Sequence, residues 1–401
     1  MLIVQKFGGS SVADAEKTKR VAGIIADSYI ADNDIVVVLS AQGDTTDDLL
    51  EKAAQLNARP SKRELDMLLS TGEQQSVALM AMALEAMGLP VVSLNGWQVG
   101  LETNTSYGSA RVMRVSTERI RRELDKRRIV LVAGFQGVDR NGDVTTLGRG
   151  GSDTTAVALA AVLHADKCQI FTDVEGVYTA DPRKVIGARK LDEITYDEML
   201  ELASLGAQVL MGRSVEMAKR YSVVLEVLSS YVRKPGTKVK EVVKKVEEMK
   251  ISGIAKDNNV ARVVVVGVPD EPGMAFRVFN TMARAKINVD IILQSYGKNS
   301  TNDISFTVPL PEAEAAADAL NELRESIGFD HVDVDTEVSK VSIVGAGMMT
   351  ASGIAALMFE ALYDAKINIQ MISTSEIKVS VLIEKAHADQ AVQAIHNKFF
   401  A

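Results

Sequence analysis

The feature that most restricts the fold of this chain is a duplication. Ala285-Lys286-Ile287-Asn288-Val289-Asp290-Ile291-Ile292-Leu293-Gln294-Ser295 aligns with Ala365-Lys366-Ile367-Asn368-Ile369-Gln370-Met371-Ile372-Ser373-Thr374-Ser375. Upstream, Val263-Val264-Val265-Val266-Gly267 matches Val341-Ser342-Ile343-Val344-Gly345. Two matches in the same order mark a small module present twice. The first copy reads β-α-β-β-α-β over residues 262–268, 273–285, 288–295, 303–309, 312–327 and 331–337. The second copy reads β-α-β-β-α and lacks its last strand. An apolar run at 251–255, just before the first copy, is the strand expected to complete the second. The first module is then inserted into the second.

The region before the duplication follows a different rhythm. Apolar runs at 2–7, 35–40, 91–94, 129–135, 169–172 and 223–227 alternate with helical patterns at 14–27, 46–56 and 61–87. Such βαβα order predicts a mainly parallel sheet covered by helices, an α/β fold. Sites in such sheets lie beyond the carboxyl ends of the strands. Lys234-Pro235-Gly236-Thr237 is a turn, and the charged segment 238–250 links this region to the tail. The expected division is 1–238, a linker and donated strand at 239–261, a first module at 262–338 and a second at 339–401.

Composition narrows the class. At 401 residues the chain exceeds one ordinary core. It is 47% hydrophobic but only 5% aromatic, so its cores must be Val, Ile, Leu, Ala and Met, as buried parallel strands require. A net charge of −8 argues against a nucleic-acid surface. Cys168 is the sole cysteine and has no internal partner for a disulfide. The N-terminus turns polar at Gln5-Lys6, too early for a signal peptide, and the most apolar helical stretch, 154–165, is too short for a bilayer. A cytoplasmic protein without a membrane partner is expected.

Lys6-Phe7-Gly8-Gly9-Ser10-Ser11 lies between a strand and a helix. Glycines there let backbone N–H groups approach a phosphate, the helix N-terminus adds a positive dipole end, and a lysine supplies a point charge. A plain glycine-rich turn with a solvated lysine reads equally well from these six residues alone. The run is neither a Walker A loop nor a Gly-x-Gly-x-x-Gly fingerprint.

Three further motifs follow: Ser70-Thr71-Gly72-Glu73, Leu147-Gly148-Arg149-Gly150-Gly151-Ser152-Asp153-Thr154, and Thr172-Asp173-Val174-Glu175-Gly176-Val177-Tyr178-Thr179-Ala180-Asp181-Pro182-Arg183. With Lys-Phe-Gly-Gly-Ser-Ser at the start, this series resembles the aspartokinases of the amino-acid-kinase superfamily over essentially the whole chain. The duplicated tail resembles the paired α+β, ferredoxin-like ACT modules that aspartokinases carry for feedback control.

The resemblance implies transfer of the ATP γ-phosphate to the side-chain carboxylate of L-aspartate, giving 4-phospho-L-aspartate, the first step towards lysine, threonine and methionine. That acceptor is already ionised at neutral pH and needs no general base. Positioning and charge neutralisation should carry the reaction. Consistently, His164, His331, His387 and His396 all lie outside the motifs.

By the same resemblance Lys6 would stabilise the transferring phosphoryl group and Asp153 would orient Lys6. Arg149 would hold the substrate α-carboxylate, Glu73 its ammonium, and Ser40 and Thr46 would line the substrate side. Nucleotide contacts would come from Lys6, Phe7, Gly8, Gly9, Gly150, Gly151, Ser152, Thr172, Asp173, Tyr178, Asp181 and Arg183. Taken singly, Glu73 and Asp153 are also plausible helix caps and Arg149 a surface ion-pair partner. Mg²⁺ is implied as the companion of ATP, but no carboxylate cluster has dedicated metal spacing. In the tail, Asp270, Gly273, Asn288 and Gln294 of the first module and Asn368, Thr374 and Ser375 of the second would bind an effector. Lysine and threonine, alone or together, are the implied effectors. Asn288 and Asn368 also suit turns into their strands. A homo-oligomer through ACT pairing is implied, with or without a shorter regulatory-tail subunit.

One departure stands out. Many aspartokinases have Gly-Ala-Lys-Val-Leu where this chain reads Gly206-Ala207-Gln208-Val209-Leu210. A glutamine brings no charge to a phosphate, so the expectation is either weaker ATP binding or an offset by Arg213 or Lys219. Competing readings are a kinase for acetylglutamate, glutamate or a nucleotide, and a catalytically silent amino-acid sensor. Acetylglutamate has no free ammonium for Glu73, and the intact Lys6, Glu73, Arg149 and Asp153 disfavour a silent sensor. With no dinucleotide-binding segment after the tail, a fusion to homoserine dehydrogenase is not expected.

Overall fold

The computed structural model describes residues 1–206, 209–243, 251–296, 301–349 and 351–400. They divide into two compact units that are not contiguous in sequence. One comprises 1–178, 190–204 and 208–245; the other comprises 179–189, 205–207 and 246–401. The sequence division at 238 is contiguous and so does not anticipate the two short excursions.

The first unit is built on an eight-stranded sheet. Its spatial order is Glu193–Thr195, Thr237–Lys240, Leu225–Ser229, Lys167–Thr172, Leu2–Phe7, Asp34–Leu39, Ile129–Ala133 and Val91–Leu94. Every neighbouring pair is parallel except Leu225–Ser229 with Thr237–Lys240. The central strands are buried on both faces, which is why they read as unbroken apolar runs. Helix Ala15–Ile30 starts where Asp14 accepts the Lys17 N–H, and it buries Val21, Ala22, Ile24 and Ile25 in a core with Phe7, Leu39 and Met80.

Two local features differ from the sequence expectation. The helical pattern over 61–87 is two helices, Lys62–Leu69 and Thr71–Glu85. The Ser70 hydroxyl bonds back to the Met67 carbonyl at the break, a local bond that competes with helix continuation. A second, four-stranded sheet of Val112–Val115, Leu101–Thr103, Gln136–Val138 and Val144–Thr146 was not anticipated. Strands of three or four residues are too short to show a period in sequence.

The second unit holds two four-stranded antiparallel sheets with helices on one face. The first has the order Ile292–Tyr296, Thr301–Pro309, Val260–Pro269, His331–Asp335. The second has the order Gly253–Asp257, Val338–Val344, Lys378–Glu384, Met371–Thr374. The Gly253–Asp257 strand therefore pairs within the sheet of the later module, although it precedes the earlier one. The duplication extends to backbone detail. Gly273 and Gly353, both left-handed, cap helices Met274–Arg284 and Ile354–Asp364, and Lys286 and Lys366 both take positive φ just after those helices. Val260, Ile291, Val338, Met371 and Leu382 form one apolar cluster drawing on both modules.

Candidate active site

Four central parallel strands converge on one cleft of about 380 Å³. Lys6 comes from the end of Leu2–Phe7 and Thr172 from the end of Lys167–Thr172. Ser40 and Ala41 follow Asp34–Leu39, and Phe135 follows Ile129–Ala133. This is the carboxyl edge that the βαβα order singles out.

The glycine turn after the first strand is shaped by contact. Gly9 sits so close to the next loop that a Cβ there would lie 2.5 Å from the Ala41 carbonyl oxygen. The Gly43 N–H also donates to the Gly9 carbonyl. Only glycine lets these two loops approach so closely. Phe7 does not face the cleft. It is fully buried and stacks on Phe171 with ring centroids 4.5 Å apart, so a nucleotide role for its side chain is corrected to a core role.

Helix Gly151–Leu163 points its N-terminus at the same place. Gly150, with φ 71°, is its N-cap, and the cap makes no side-chain hydrogen bond. Asp153 is thus not the cap; its Oδ1 lies 2.7 Å from Lys6 Nζ, with both side chains about nine-tenths buried. The pair holds the lysine ammonium beside the glycine turn and the helix dipole. Gly151, Ser152 and Asp153 all line the cleft.

Glu73, in the first turn of Thr71–Glu85, is 3% exposed. Its Oε1 accepts the Ala41 N–H at 3.2 Å and its buried Oε2 has no hydrogen-bond partner among the described residues. Burial pushes its carboxyl up to about 8, against the pull of its own and the Ala41 N–H groups. A buried acceptor with one oxygen unpaired, lining a cleft, is suited to a cationic group. Arg149 also lines the cleft and is exposed, with no ion pair or side-chain hydrogen bond among the described residues. Lys6, Gly8, Gly9, Ser40, Thr46, Glu73, Arg149, Gly150, Gly151, Ser152, Asp153 and Thr172 are therefore gathered in one place.

Other expected residues are not among the lining. Asp173 accepts the Thr172 hydroxyl at the surface, and Tyr178 bridges Lys190. Asp181 and Arg183 belong to the stretch grouped with the second unit, where they pair with each other at 3.0 Å. Gln208 lies outside the described residues. Neither expected substitute for it is a free cation: Arg213 donates to the Leu147 and Ala110 carbonyls, and Lys219 pairs with Asp197 at 2.5 Å. Conversely, Phe135 and Met211 line the cleft without having been singled out. Phe135 takes a left-handed φ of 67°, a strained state for a bulky residue. Its place just past a central strand was the available signal. Of the histidines, only His396 is buried, bonded to Thr179 Oγ1.

The family model described as the amino acid kinase family matches residues 1–229, and that of the ACT domain matches 262–323 and 341–399. An aspartokinase of Mycolicibacterium smegmatis is 51% identical over 403 residues, covering 99% of this chain and 96% of the relative. The chain belongs to the aspartokinase family. Its fold matches that of Escherichia coli aspartokinase III crystallised with aspartate and ADP, called the R-state, with a TM-score of 0.84, 27% identity and full coverage of both chains. The same enzyme with lysine and aspartate, the T-state, gives 0.78 at 26% identity, again over the whole of both chains. The aspartokinase catalytic unit is thus the parallel-sheet unit, and its ACT modules are the two antiparallel sheets.

Proposed function

We propose that this aspartokinase transfers the γ-phosphate of ATP to the β-carboxylate of L-aspartate. The observation that carries the reading is the pairing of a phosphate corner with an amino-acid corner in one cleft. Lys6, the glycine turn and the N-terminus of Gly151–Leu163 form the first. Glu73, with an oxygen unpaired, and Arg149, with a guanidinium unpaired among the described residues, form the second. An acceptor with an ammonium, an α-carboxylate and a second carboxylate fits those charges.

The chemistry needed is electrostatic. The nucleophilic carboxylate is ionised, so the barrier is its approach to an anionic phosphate. Lys6 neutralises charge on the transferring group, and Asp153 fixes its ammonium in place. Glu73 and Arg149 orient the acceptor so that its free carboxylate faces the phosphate. Among the described residues no three His, Cys, Asp or Glu groups could cage a metal ion. Mg²⁺ brought with ATP would find Asp153 as the carboxylate on the phosphate side and would add positive charge there to that of Lys6.

The ACT modules support feedback control by lysine, threonine or both. Asp270 and Gly273 sit at the start of Met274–Arg284, Gln294 on the edge strand Ile292–Tyr296, and Thr374 at the end of the edge strand Met371–Thr374. Open edges with Ile292, Leu293 and Ile372 exposed suit pairing between copies, or with a regulatory-tail subunit. ADP release measured across aspartate, glutamate and acetylglutamate, with and without each effector, tests the reading. Aspartate alone should drive turnover; equal turnover with acetylglutamate would contradict the role of Glu73.

A further inference from the structure

We propose that Asp66 and Arg213 are positioning residues that fix the Thr146–Leu147 backbone and thereby set where Arg149 meets the acceptor's α-carboxylate, an assignment that rests on the acceptor reading above. Asp66, on helix Lys62–Leu69, is 1% exposed. Its Oδ1 accepts the Thr146 hydroxyl at 2.7 Å and the Gly108 N–H at 3.0 Å. Its Oδ2 accepts the Thr146 N–H at 2.8 Å and the Gly108 N–H at 2.9 Å. Arg213, on helix Gly212–Arg220, donates to the Leu147 carbonyl at 2.7 Å and to the Ala110 carbonyl at 2.8 Å.

The accounting of the dipeptide is complete. The Thr146 N–H goes to Asp66 and the Leu147 carbonyl to Arg213. The Thr146 carbonyl accepts from Ala110, and the Leu147 N–H donates to Phe135. Two charged side chains from different helices thus hold a two-residue segment of backbone. Neither Asp66 nor Arg213 makes an ion pair among the described residues, so their charge is satisfied by backbone groups and one hydroxyl. The buried Asp66 carboxylate offsets the cost of leaving water through these charge-assisted bonds, and the half-buried Arg213 makes two more to carbonyls.

What it enforces lies two residues on. Gly148 takes φ 75°, and a Cβ there would sit 3.0 Å from the Gly108 carbonyl oxygen, the same residue that Asp66 holds. Arg149 follows, exposed and with no partner for its guanidinium among the described residues. With no hydrogen bond or ion pair to hold it among the described residues, the guanidinium takes its position from its backbone. Arg149 is therefore only as well placed as the segment that Asp66 and Arg213 clamp.

Asp66→Asn keeps the shape but turns an NH₂ toward donors, and Arg213→Lys can reach only one of the two carbonyls. In the full-length protein, Asp66→Asn should raise the aspartate KM about tenfold or more, as expected for losing charged hydrogen bonds. Arg213→Lys should raise it less, and the ATP KM should stay within about twofold in both. Hydrogen exchange at 104–110 and 144–150 should quicken in both variants, a readout that needs no acceptor. Wild-type protein inactive on aspartate would overturn the acceptor reading, while unchanged exchange would overturn the clamp. The clamp also falls if either soluble variant keeps its aspartate KM, or if both KM values rise by the same factor. Should Asp66→Asn fail to fold, Arg213→Lys decides the matter alone.

Discussion

Lys6 Nζ lies 2.7 Å from Asp153 Oδ1, joining the end of the first strand to the first turn of the Gly151–Leu163 helix. Both partners are about nine-tenths buried, so the ion pair is shielded from water, and the ammonium is held where a phosphate would meet the helix N-terminus. Lys6→Ala should lower kcat by about 10²–10³, the loss typical of removing one preorganised donor to developing charge. Asp153→Asn should lower kcat less, and steady-state kinetics of the two variants tests the order.

Glu73 gives the reaction a pH signature. With its carboxyl pushed up to about 8, Glu73 is protonated in the free protein at neutral pH, and an acceptor ammonium requires it ionised. Acceptor binding then releases a proton, so the aspartate KM should fall as pH rises toward 8, by at most about tenfold per pH unit, and level off above. Glu73→Gln should flatten that profile.

The same shift has a stability consequence. A folded carboxyl titrating near 8 rather than at 4.5 binds more protons folded than unfolded across that window. The free protein should therefore lose stability as pH rises from 4.5 through 8. Thermal unfolding of Glu73→Gln should show a smaller loss of Tm over that range.

Arg149 acts by binding rather than by chemistry. Arg149→Ala should raise the aspartate KM by about 10–100-fold, the value of a charged hydrogen-bonded pair, with a smaller change in kcat. Initial rates at saturating ATP separate the two constants.

Gly9 is a contact residue. Gly9→Ala would place a methyl 2.5 Å from the Ala41 carbonyl, backbone that cannot swing aside. The substitution should cost about 1–3 kcal/mol of stability by overpacking and depress kcat by parting the two loops. Denaturant unfolding and kcat, measured on the same preparation, check both effects.

The parallel sheet, the duplication and the strand ends bearing Lys6, Ser40 and Thr172 were legible in sequence. Buried strands write themselves as apolar runs, and glycine marks the turn after them. The orientation of side chains was less legible. Phe7 sits in the motif yet turns into the core against Phe171, because alternate residues of a strand face opposite sides. Asp66 gave no signal, and Arg213 was read only as a cation for a phosphate, since a charge bonded to backbone across 80 or 66 residues has no local pattern. The destination of Asp181 and Arg183 was equally hidden: a strand-turn motif does not say which compact unit its loop will join.

The central claim is the acceptor. Hydroxylamine trapping of the product, run beside ADP release with aspartate and Mg·ATP, tests it most directly, because an acyl phosphate yields a hydroxamate and a phosphate ester does not. Aspartate-dependent hydroxamate should equal the ADP formed, and both should fall by about 10²–10³ in Lys6→Ala. ADP release without hydroxamate, or none that depends on aspartate, would contradict it.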